Sequence, residues 1–408
     1  MIFIEGLNYL LVCVAGGVTS YYLLISLLAL LKNKNIDYEA SKIRKFAVLL
    51  FAQEKEQGLS RILYSLSGLI YPKNKYDLIV IADSYSNNIV KMAEKMGAKI
   101  MVPPTDTREE DENMILPWAF DSILHGDESY DAVVTFNSDG LISGNYLEVM
   151  NYYLEQGSEV IQCSYNNLDN PKTWIDKICE MDFLLNRFVY PIGRKNIGLG
   201  LTLGNNGICF STVLLREFPW KTEKQPSIVE YGFDLRLRGV EIDFAPNAAV
   251  FTSILPVNND NNSYFSTPNE SLRKYLPQLL GRAVKTKSHK YVDILIELLL
   301  PKIANIIFLI AAMGLINSAL WGLGWISLSP LLYWLVIFGV AITSISIALT
   351  AAGTQQKFLK SVMYIPVTIY LKVQGFIQKY RREDQAIVSP PDEKDKRFVV
   401  SDENHPVK

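Results

Sequence analysis

Residues 133–142 read VVTFNSDGLI, and this stretch decides the fold class that we expect. An apolar run ends abruptly at Asn137, Ser138 and Asp139. Buried strands of α/β proteins end in this way where they deliver polar groups to a site at the edge of the sheet. A metal–phosphate site would use two acids at this point, whereas the sequence supplies one amide and one acid. The stretch therefore predicts a strand that leads into a site with an unusual polar pair.

The residues around this stretch alternate between strand and helix patterns. Apolar strand-like runs occupy residues 46–52, 76–83, 98–104 and 130–139, and helical spacing occupies residues 57–70, 87–97 and 118–124. This β-α-β-α-β order implies a parallel sheet with helices on both faces, and such sheets bind ligands outside the carboxyl ends of their strands. Asp83 and Asp139 both fall at such ends, so we expect both to face one crevice. The alternative is that each is a turn residue, Asp83 before SYSNN and Asp139 before Gly140.

The composition of the 408-residue chain argues against several classes of protein. A formal net charge of −2 gives no overall attraction to nucleic acid. The four cysteines are Cys13, Cys163, Cys179 and Cys209, and none belongs to a C-x-x-C motif. This usage fits a reducing compartment and argues against a disulfide framework or a zinc cluster. Hydrophobic residues make up 49% of the chain, so membrane spans must be sought first.

Three uncharged segments are long enough to cross a bilayer of about 30 Å as helices. They occupy residues 8–31, 303–320 and 330–351. The first is preceded by Glu5 and followed by five lysines and arginines between residues 32 and 45, an asymmetry that argues against a cleaved signal peptide. Basic flanks mark the cytoplasmic side of a span, so we expect the N-terminus outside and residues 32–290 in the cytoplasm.

The chain therefore divides into five parts. We expect a first span with its short outer end at 1–31, a cytoplasmic domain at 32–290, two spans within 291–355, an amphipathic helix on the inner membrane surface at 356–382, and a disordered polar tail at 383–408. The alternative for 356–382 is a surface helix of a soluble domain, which fits less well so close to a span. The expected location is the inner (plasma) membrane, with a multi-pass topology.

Six segments occur in an order that is typical of one enzyme family. They are FAQEKEQGLSRILYSLSGLIYPKNKYDLIVIADSYSNN (51–88), YDAVVTFNSDGLISGNYL (130–147), VIQCSYNNLDNPKTWIDKI (160–178), NRFVYPIGRKNIGLGLTLGNNGICFS (186–211), FAPNAAVFTSILP (244–256) and KYLPQLL (274–280). The first resembles the opening of the inverting family 2 glycosyltransferases. The later segments resemble the cellulose-synthase-like, polysaccharide-synthase branch of that family, and the resemblance covers about residues 40–375.

This resemblance implies a GT-A nucleotide-sugar domain with a mixed, mostly parallel sheet, docked on the inner membrane face. The family's reaction is a direct displacement at the anomeric carbon of the sugar. In it, Mg²⁺ or Mn²⁺ neutralises the leaving nucleoside diphosphate, and an acidic residue takes the proton from the acceptor hydroxyl. The implied partners are a nucleotide-sugar, the lipid bilayer, and a second glycosyltransferase or other subunit of polysaccharide synthesis.

The positions that bind the donor in the family are only partly kept. Asp83 matches the aspartate that contacts the nucleotide. The D-x-D motif, which holds nucleotide and metal, is Asn137-Ser138-Asp139 in this chain. A metal ion at Asp139 would therefore lose one charged oxygen and bind more weakly. A glycine-lysine-glycine of many relatives is replaced at residues 111–113 by Asp-Glu-Asn, which would repel phosphates.

The catalytic base and the acceptor clamp of the family are missing at their matching positions. In the register set by the L-x-L-x-G pattern ending at Gly239, the E-D pair falls on Ser227 and its neighbour. We interpret Ser227 and Glu230 as a helix capping box. The Q-x-x-R-W motif matches residues 260–264, where only the aromatic ring of Tyr264 remains. The acceptor-cleft candidates are Tyr264 and Asn206 of the loop GLGLTLGNNG.

The sequence leaves two functions open. The first is a non-catalytic or weakly active membrane subunit that keeps the nucleotide-sugar fold and needs no cofactor. The second is an active inverting glycosyltransferase with a divalent metal at Asp139 and with Glu230 or Asp234 as base. We prefer the first, because the losses are concentrated at charged catalytic positions while the strands, glycines and spans remain. A transporter or receptor is disfavoured, because no span carries an ionisable pair.

Overall fold

The apolar runs of the sequence form the strands of one sheet in this computed structural model. The structure describes residues 2–31, 38, 40–51, 56–82, 88–104, 112–138, 140–168, 174–220, 227–253, 269–286, 289–300 and 303–354, all within the compact unit Met1–Leu359. The predicted interfacial helix at 356–382 and the predicted tail at 383–408 lie outside the described residues. Asp83, Asp139 and Tyr264 also lie outside them.

The sheet has eight strands within the described ranges. They are β1 (Phe46–Phe51), β2 (Tyr76–Ile81), β3 (Lys99–Met101), β4 (Ala132–Asn137), β5 (Gly140–Ile142), β6 (Val160–Asn167), β7 (Ile208–Ser211) and β8 (Ile242–Thr252). Their order is β3-β2-β1-β4-β7-β6-β8-β5. β1 to β4 run parallel, β7 is antiparallel to β4 and β6, and β8 is parallel to β6 but antiparallel to β5. The prediction of a mixed, mostly parallel sheet is confirmed.

Helices connect the strands and continue beyond the sheet. They are α1 (Ile2–Ala29), α2 (Glu56–Ser67), α3 (Asn88–Lys95), α4 (Glu112–Leu124), α5 (Tyr146–Glu155), α6 (Trp174–Leu184), α7 (Tyr190–Lys195), α8 (Thr212–Glu217), α9 (Ile228–Leu237), α10 (Asn269–Thr286), α11 (His289–Leu299), α12 (Ile303–Gly322) and α13 (Leu328–Ala351). A π-helical segment, Leu185–Val189, joins α6 to α7. The predicted strand–helix alternation is thereby confirmed in its order.

The helix predicted at 118–124 is longer than its sequence pattern indicated. α4 begins at Glu112 and contains Pro117 in its interior. The sequence pattern predicted only residues 118–124, and a proline inside a helix removes a backbone donor and disfavours helical geometry at the residue before it. Ala119, Phe120 and Ile123 of the same helix are buried in a core on one face of the sheet. Burial of this apolar face stabilises the helix despite the local cost of the proline.

Strand β1 places alternate residues in two separate cores. Val48 and Leu50 belong to a core formed with α2 and α5, whereas Ala47 and Leu49 belong to a core formed with α4, α8 and α9. The whole strand Phe46–Phe51 is buried, as expected for a parallel strand that is covered by helices on both faces. The carboxyl ends of β1, β2 and β4 lie side by side at one edge of this sheet.

The predicted spans correspond to three helices, within the described residues, that are long and apolar enough to cross a membrane. The apolar stretches are Glu5–Ala29 in α1, Asn305–Gly322 in α12 and Leu328–Ala351 in α13. Asn8 of α1 links all three helices. Its side-chain amide donates to Asn317 Oδ1, and its Oδ1 accepts from Trp334 Nε1 at 2.8 Å. Such hydrogen bonds add to the packing that holds helices together in lipid.

The sheet domain meets α1 through the short helix α7. Gly193 of α7 lies so close to α1 that a Cβ atom at this position would collide with the carbonyl oxygen of Ile25. Asn196 Nδ2 donates to the Leu28 carbonyl oxygen at 2.9 Å, at the end of the same helix. The sheet domain is therefore attached to a candidate membrane span by direct contact with its backbone.

Candidate functional site

Three neighbouring strands end at the same level of the sheet. Phe51 of β1 pairs with Ile81 of β2 and with Asn137 of β4. In the sequence, Asp83 and Asp139 each follow one of these strand ends by two residues, and both are outside the described ranges. The part of the predicted crevice that can be described is therefore the end of β4 and the chain that lies against it.

Asn137 and Asn206, which the sequence assigned to different parts of the crevice, are in direct contact. The backbone N–H of Asn137 donates to Asn206 Oδ1 at 3.1 Å. The backbone of Asn206 is held from behind by Tyr165, whose hydroxyl donates to the Asn206 carbonyl at 2.6 Å and accepts from its N–H at 2.9 Å. Burial raises the pKa of Tyr165 above its usual value, so the hydroxyl stays protonated. The side-chain NH₂ of Asn206 has no hydrogen-bond partner within the described chain, so a ligand could accept from it.

Glycines allow this loop to approach the sheet. Gly207 has φ of +61°, and a Cβ atom there would collide with the Cys163 sulfur. Its N–H donates to the Thr135 carbonyl at 2.9 Å, which joins the loop to β4. Gly204 N–H donates to the side-chain oxygen Oε1 of Gln162 at 2.8 Å, which joins the loop to β6. The glycine pattern of the sequence thus fixes Asn206 beside the end of β4.

The two candidate bases, Glu230 and Asp234, lie on α9 and face α10. The Glu230 carboxylate accepts from Lys274 Nζ at 2.8 Å. The Tyr275 hydroxyl lies 3.2 Å from the Glu230 carbonyl oxygen and also interacts with Asp234. Both acids therefore take part in contacts between the two helices. Their use as catalytic bases remains a prediction.

Ser227 begins α9 as the sequence predicted. Its Oγ accepts from the Glu230 backbone N–H at 3.3 Å, and its φ and ψ of −62° and 161° are those of an N-cap. The serine at the position that matches the family's catalytic pair is therefore a helix cap. The reverse contact of a capping box would come from the Glu230 side chain, which the structure pairs with Lys274.

We expect Ser227→Ala to lower the free energy of unfolding by about 1 kcal/mol, the usual cost of losing an N-cap. Thermal unfolding of the purified protein in detergent would measure the change. Ser67→Ala is a matched control, because Ser67 Oγ donates only to the Tyr64 carbonyl of its own helix, at an exposed position. If Ser227→Ala weakened nucleotide-sugar binding and left stability unchanged, the capping role would be wrong.

A cluster of four ionic side chains joins the sheet domain to α11. We call Arg194, Arg236, Asp293 and Glu297 the charge cluster. Asp293 accepts from Arg194 at 2.8 Å and from Arg236 at 3.0 Å, and Glu297 accepts from the same arginines at 3.1 and 2.6 Å. The arginines and Asp293 have side chains only 5–7% exposed. Two positive and two negative groups thus balance within one buried network.

The charge cluster also holds the glycine-rich loop. Arg194 donates to the Gly200 carbonyl from Nε at 3.1 Å and from Nη2 at 2.8 Å, and Glu297 Oε1 accepts from the Thr202 N–H at 2.9 Å. Burial alone would raise the pKa of Glu297, but Arg194 and Arg236 outweigh burial and hold it below the usual range. The sequence prediction missed this cluster. The signal that could have found it is the spacing of Asp293 and Glu297 by four residues on an apolar helix, which places both acids on one face.

The described residues do not themselves form a metal site. Within the part of the chain that the structure describes, no group of three His, Cys, Asp or Glu side chains could hold a metal ion. The described side chains at the end of β4 are those of Asn137 and Ser138, and both are uncharged and weaker ligands than a carboxylate for a hard divalent cation. The metal candidate Asp139 lies outside the described ranges.

No protein-family model and no curated protein matches this chain. Solved structures do resemble it in fold. The mannosyltransferase PcManGT from Pyrobaculum calidifontis, in complex with GDP-Man and Mn²⁺, is 12% identical. The similarity covers 85% of this chain and 98% of that chain, with a TM-score of 0.50.

Two further structures are similar at lower scores. TarS from S. aureus is 16% identical over 58% of this chain and 40% of that chain, with a TM-score of 0.40. Glucosyl-3-phosphoglycerate synthase from Mycobacterium tuberculosis is 16% identical over 59% and 80%, with a TM-score of 0.38. The sheet order and the similarity to PcManGT give this chain the GT-A fold of glycosyltransferases, joined to three helices that are long and apolar enough to cross a membrane.

Proposed function

We propose that this chain is a membrane-embedded, family 2 glycosyltransferase-like protein of envelope or extracellular polysaccharide synthesis. It binds a nucleotide-sugar but is non-catalytic or weakly active. The observation that carries the proposal is a GT-A fold in which the end of β4 presents the amide of Asn137, where the resembled family has an acid. In this proposal the fold keeps a donor crevice, while part of the charge of that crevice is lost.

Each remaining crevice residue has a role in this proposal. Asp83 accepts hydrogen bonds from the nucleotide, and Asp139 contributes the one carboxylate near the diphosphate. Asn137 and Asn206 add neutral polar groups beside the end of β4, where the Asn137 N–H donates to Asn206 Oδ1 at 3.1 Å. Tyr264 supplies an aromatic surface on the acceptor side. Only one acid lies in the N-S-D sequence, so Mg²⁺ or Mn²⁺ would bind weakly there.

The arrangement of α9 favours weak activity over full activity. The helix carries a cap at Ser227 where the family's base is expected, and the Glu230 carboxylate is already bound by Lys274 at 2.8 Å. The positive charge of this lysine stabilises the ionised carboxylate, which makes Glu230 a weaker base toward an acceptor hydroxyl. Loss of a general base costs roughly 10²–10⁴ in rate. The active alternative requires Asp139 for the metal and Glu230 or Asp234 as base.

The membrane assignment rests on the three apolar helices and on the charges beside them. We propose a multi-pass protein of the inner (plasma) membrane, with the domain at 32–290 in the cytoplasm. Lysines and arginines follow α1 and precede α12, and the connection between α12 and α13 carries no charge. A protein with this location and a weak active site fits the role of a subunit that assists a catalytic glycosyltransferase.

We expect the purified full-length chain to bind a nucleotide-sugar without turning it over. A screen of nucleotide-sugars for binding and hydrolysis, with and without Mg²⁺ or Mn²⁺, tests this. Asp83→Asn should weaken binding roughly tenfold, because a hydrogen bond to a charged group is lost. Asp139→Asn should change the Kd by less than about threefold, because metal contributes little at this crevice. Asp121→Asn, at a side chain that is 76% exposed, is the matched control.

The active alternative gives a different set of results. It requires turnover that depends on a divalent ion, that Asp139→Asn abolishes, and that falls when Glu230 or Asp234 is replaced. Detection of such turnover would overturn the non-catalytic assignment while leaving the fold and the nucleotide-sugar crevice in place. Failure to bind any nucleotide-sugar would overturn the crevice assignment itself.

A further inference from the structure

A cavity of about 450 Å³ lies between the sheet domain and the membrane helices. It is bounded by α1, by β6, by the π-helical segment with α7, and by the end of α11. Representative lining residues are Ile25, Tyr165, Arg187, Tyr190 and Leu299. Its walls therefore combine apolar side chains with a cation and phenolic groups, a mixture that suits an amphipathic ligand.

Arg187 is the unbalanced charge of this cavity. Its guanidinium rests over the Tyr165 ring at 5.4 Å and forms no ion pair within the described chain. The other arginine in the wall, Arg194, is neutralised by Asp293 and Glu297. Arg187 lies in the π-helical segment, and π-helical turns are frequent at functional sites. A half-buried arginine without an acid favours an anionic ligand.

Tyr190 lines the same wall as Arg187. Only 6% of the residue is exposed, and its hydroxyl has almost no accessible surface and no partner within the described chain. Tyr190 comes three residues after Arg187, on the helical segment that lines the cavity. A ligand oxygen in the cavity would therefore contact Arg187, and Tyr190 would contribute its ring to the wall.

The position of the cavity along α1 indicates which kind of ligand it binds. Tyr22 and Ile25 line it, and α1 ends at Ala29. At 1.5 Å per residue, the cavity lies about 6–10 Å inside the end of this candidate span. Asn305, the first residue of the apolar stretch in α12, lines it as well. Both helices therefore place the cavity near the boundary between lipid headgroups and hydrocarbon.

We propose that this cavity binds the phosphate of an anionic lipid. The phosphate oxygens accept from Arg187, and the hydrocarbon chain lies along Ile25 and Leu299. This site adjoins the nucleotide-sugar crevice through Tyr165, which lines the cavity and whose hydroxyl holds Asn206, but the proposal does not depend on the proposed function. Free inorganic phosphate would contact the polar wall but would leave the apolar wall uncovered. Phospholipids and isoprenoid phosphates share the required chemistry.

The experiment measures retained lipid on the full-length protein. The protein is purified from nanodiscs of phosphatidylcholine with 20 mol% phosphatidylglycerol as the anionic probe, and bound lipid is counted by native mass spectrometry. We expect one tightly held phosphatidylglycerol, with affinity lowered roughly tenfold by Arg187→Gln and little changed by Tyr190→Phe. Arg187→Lys keeps the charge and should retain most of the binding. A parallel arm with an isoprenoid phosphate distinguishes the two lipid sources.

Arg238→Gln is the matched control, because Arg238 also rests on an aromatic ring, that of Phe218 at 5.2 Å, but does not line the cavity. It should leave lipid retention unchanged. Equal loss in Arg187→Gln and Arg238→Gln would overturn the site and indicate general surface attraction. Retention of phosphatidylcholine as tightly as phosphatidylglycerol would overturn it too, as would displacement of the lipid by millimolar inorganic phosphate. Nucleotide-sugar binding, measured on the same variants, should not change.

Discussion

Arg236→Met should lower the free energy of unfolding by about 3–5 kcal/mol, the usual cost of removing one partner from a buried ion pair. Methionine reproduces the arginine side chain as far as Nε and lacks only the charged end, so the lost charge dominates the effect. Asp293, whose side chain is 6% exposed, would keep only Arg194 as a partner. One negative charge would then remain unbalanced inside the charge cluster. Thermal or denaturant unfolding of the detergent-solubilised protein measures the loss.

The neighbouring Arg238→Met is the control for this variant, because Arg238 is exposed and takes no part in the charge cluster. It should change stability by less than about 0.5 kcal/mol. The double variant Arg236→Met/Glu297→Gln restores the balance of charge, and we expect it to recover about 1–3 kcal/mol relative to the sum of the single changes. Equal stabilities of Arg236→Met and Arg238→Met would show that the cluster contributes little.

Gly193→Ala should detach the sheet domain from α1 or prevent the junction from forming. The added methyl group would lie 2.8 Å from Ile25 Cγ2 and would collide with the Ile25 carbonyl oxygen. Overpacking of a core typically costs about 1–3 kcal/mol when side chains can move aside. Here the obstacle is the backbone of a helix, which cannot rotate away, so we expect a loss at or above about 3 kcal/mol. The melting temperature and the yield of folded protein measure this loss.

Gly17→Ala on α1 is the matched control, because no atom lies within 4 Å of the position that its Cβ would occupy. It should fold normally. The double variant Gly193→Ala/Ile25→Ala removes the contact with Ile25 Cγ2 but leaves the collision with the carbonyl oxygen. We therefore expect it to recover little stability. A melting temperature of Gly193→Ala equal to that of Gly17→Ala would contradict the close contact between α7 and α1.

The mixed sheet was expected only from the family resemblance, because the strand and helix patterns by themselves predicted a parallel sheet. The order of the first four strands with their helices, and the three apolar helices, could be predicted from the residues alone. These features depend on local patterns: FAVLLF is apolar throughout because β1 is covered on both faces, and the spans are uncharged over about 20 residues because hydrocarbon is about 30 Å thick. The helix cap at Ser227 could also be predicted, because its bond to the Glu230 N–H joins residues only three positions apart. The start of α4 was missed, because burial of its later residues stabilises a helix through Pro117.

The sequence named Asn137 and Asn206 individually, but only the tertiary structure brought them together. They are 69 residues apart, and their bond depends on how β4 and β7 pair and on Gly207 at positive φ. The charge cluster is even less local, since Arg194 and Asp293 are 99 residues apart. Local periodicity determined which segments are strands, helices and spans. The partners of buried polar groups were decided by long-range packing, because each such group must find its match wherever the fold brings one within hydrogen-bond distance.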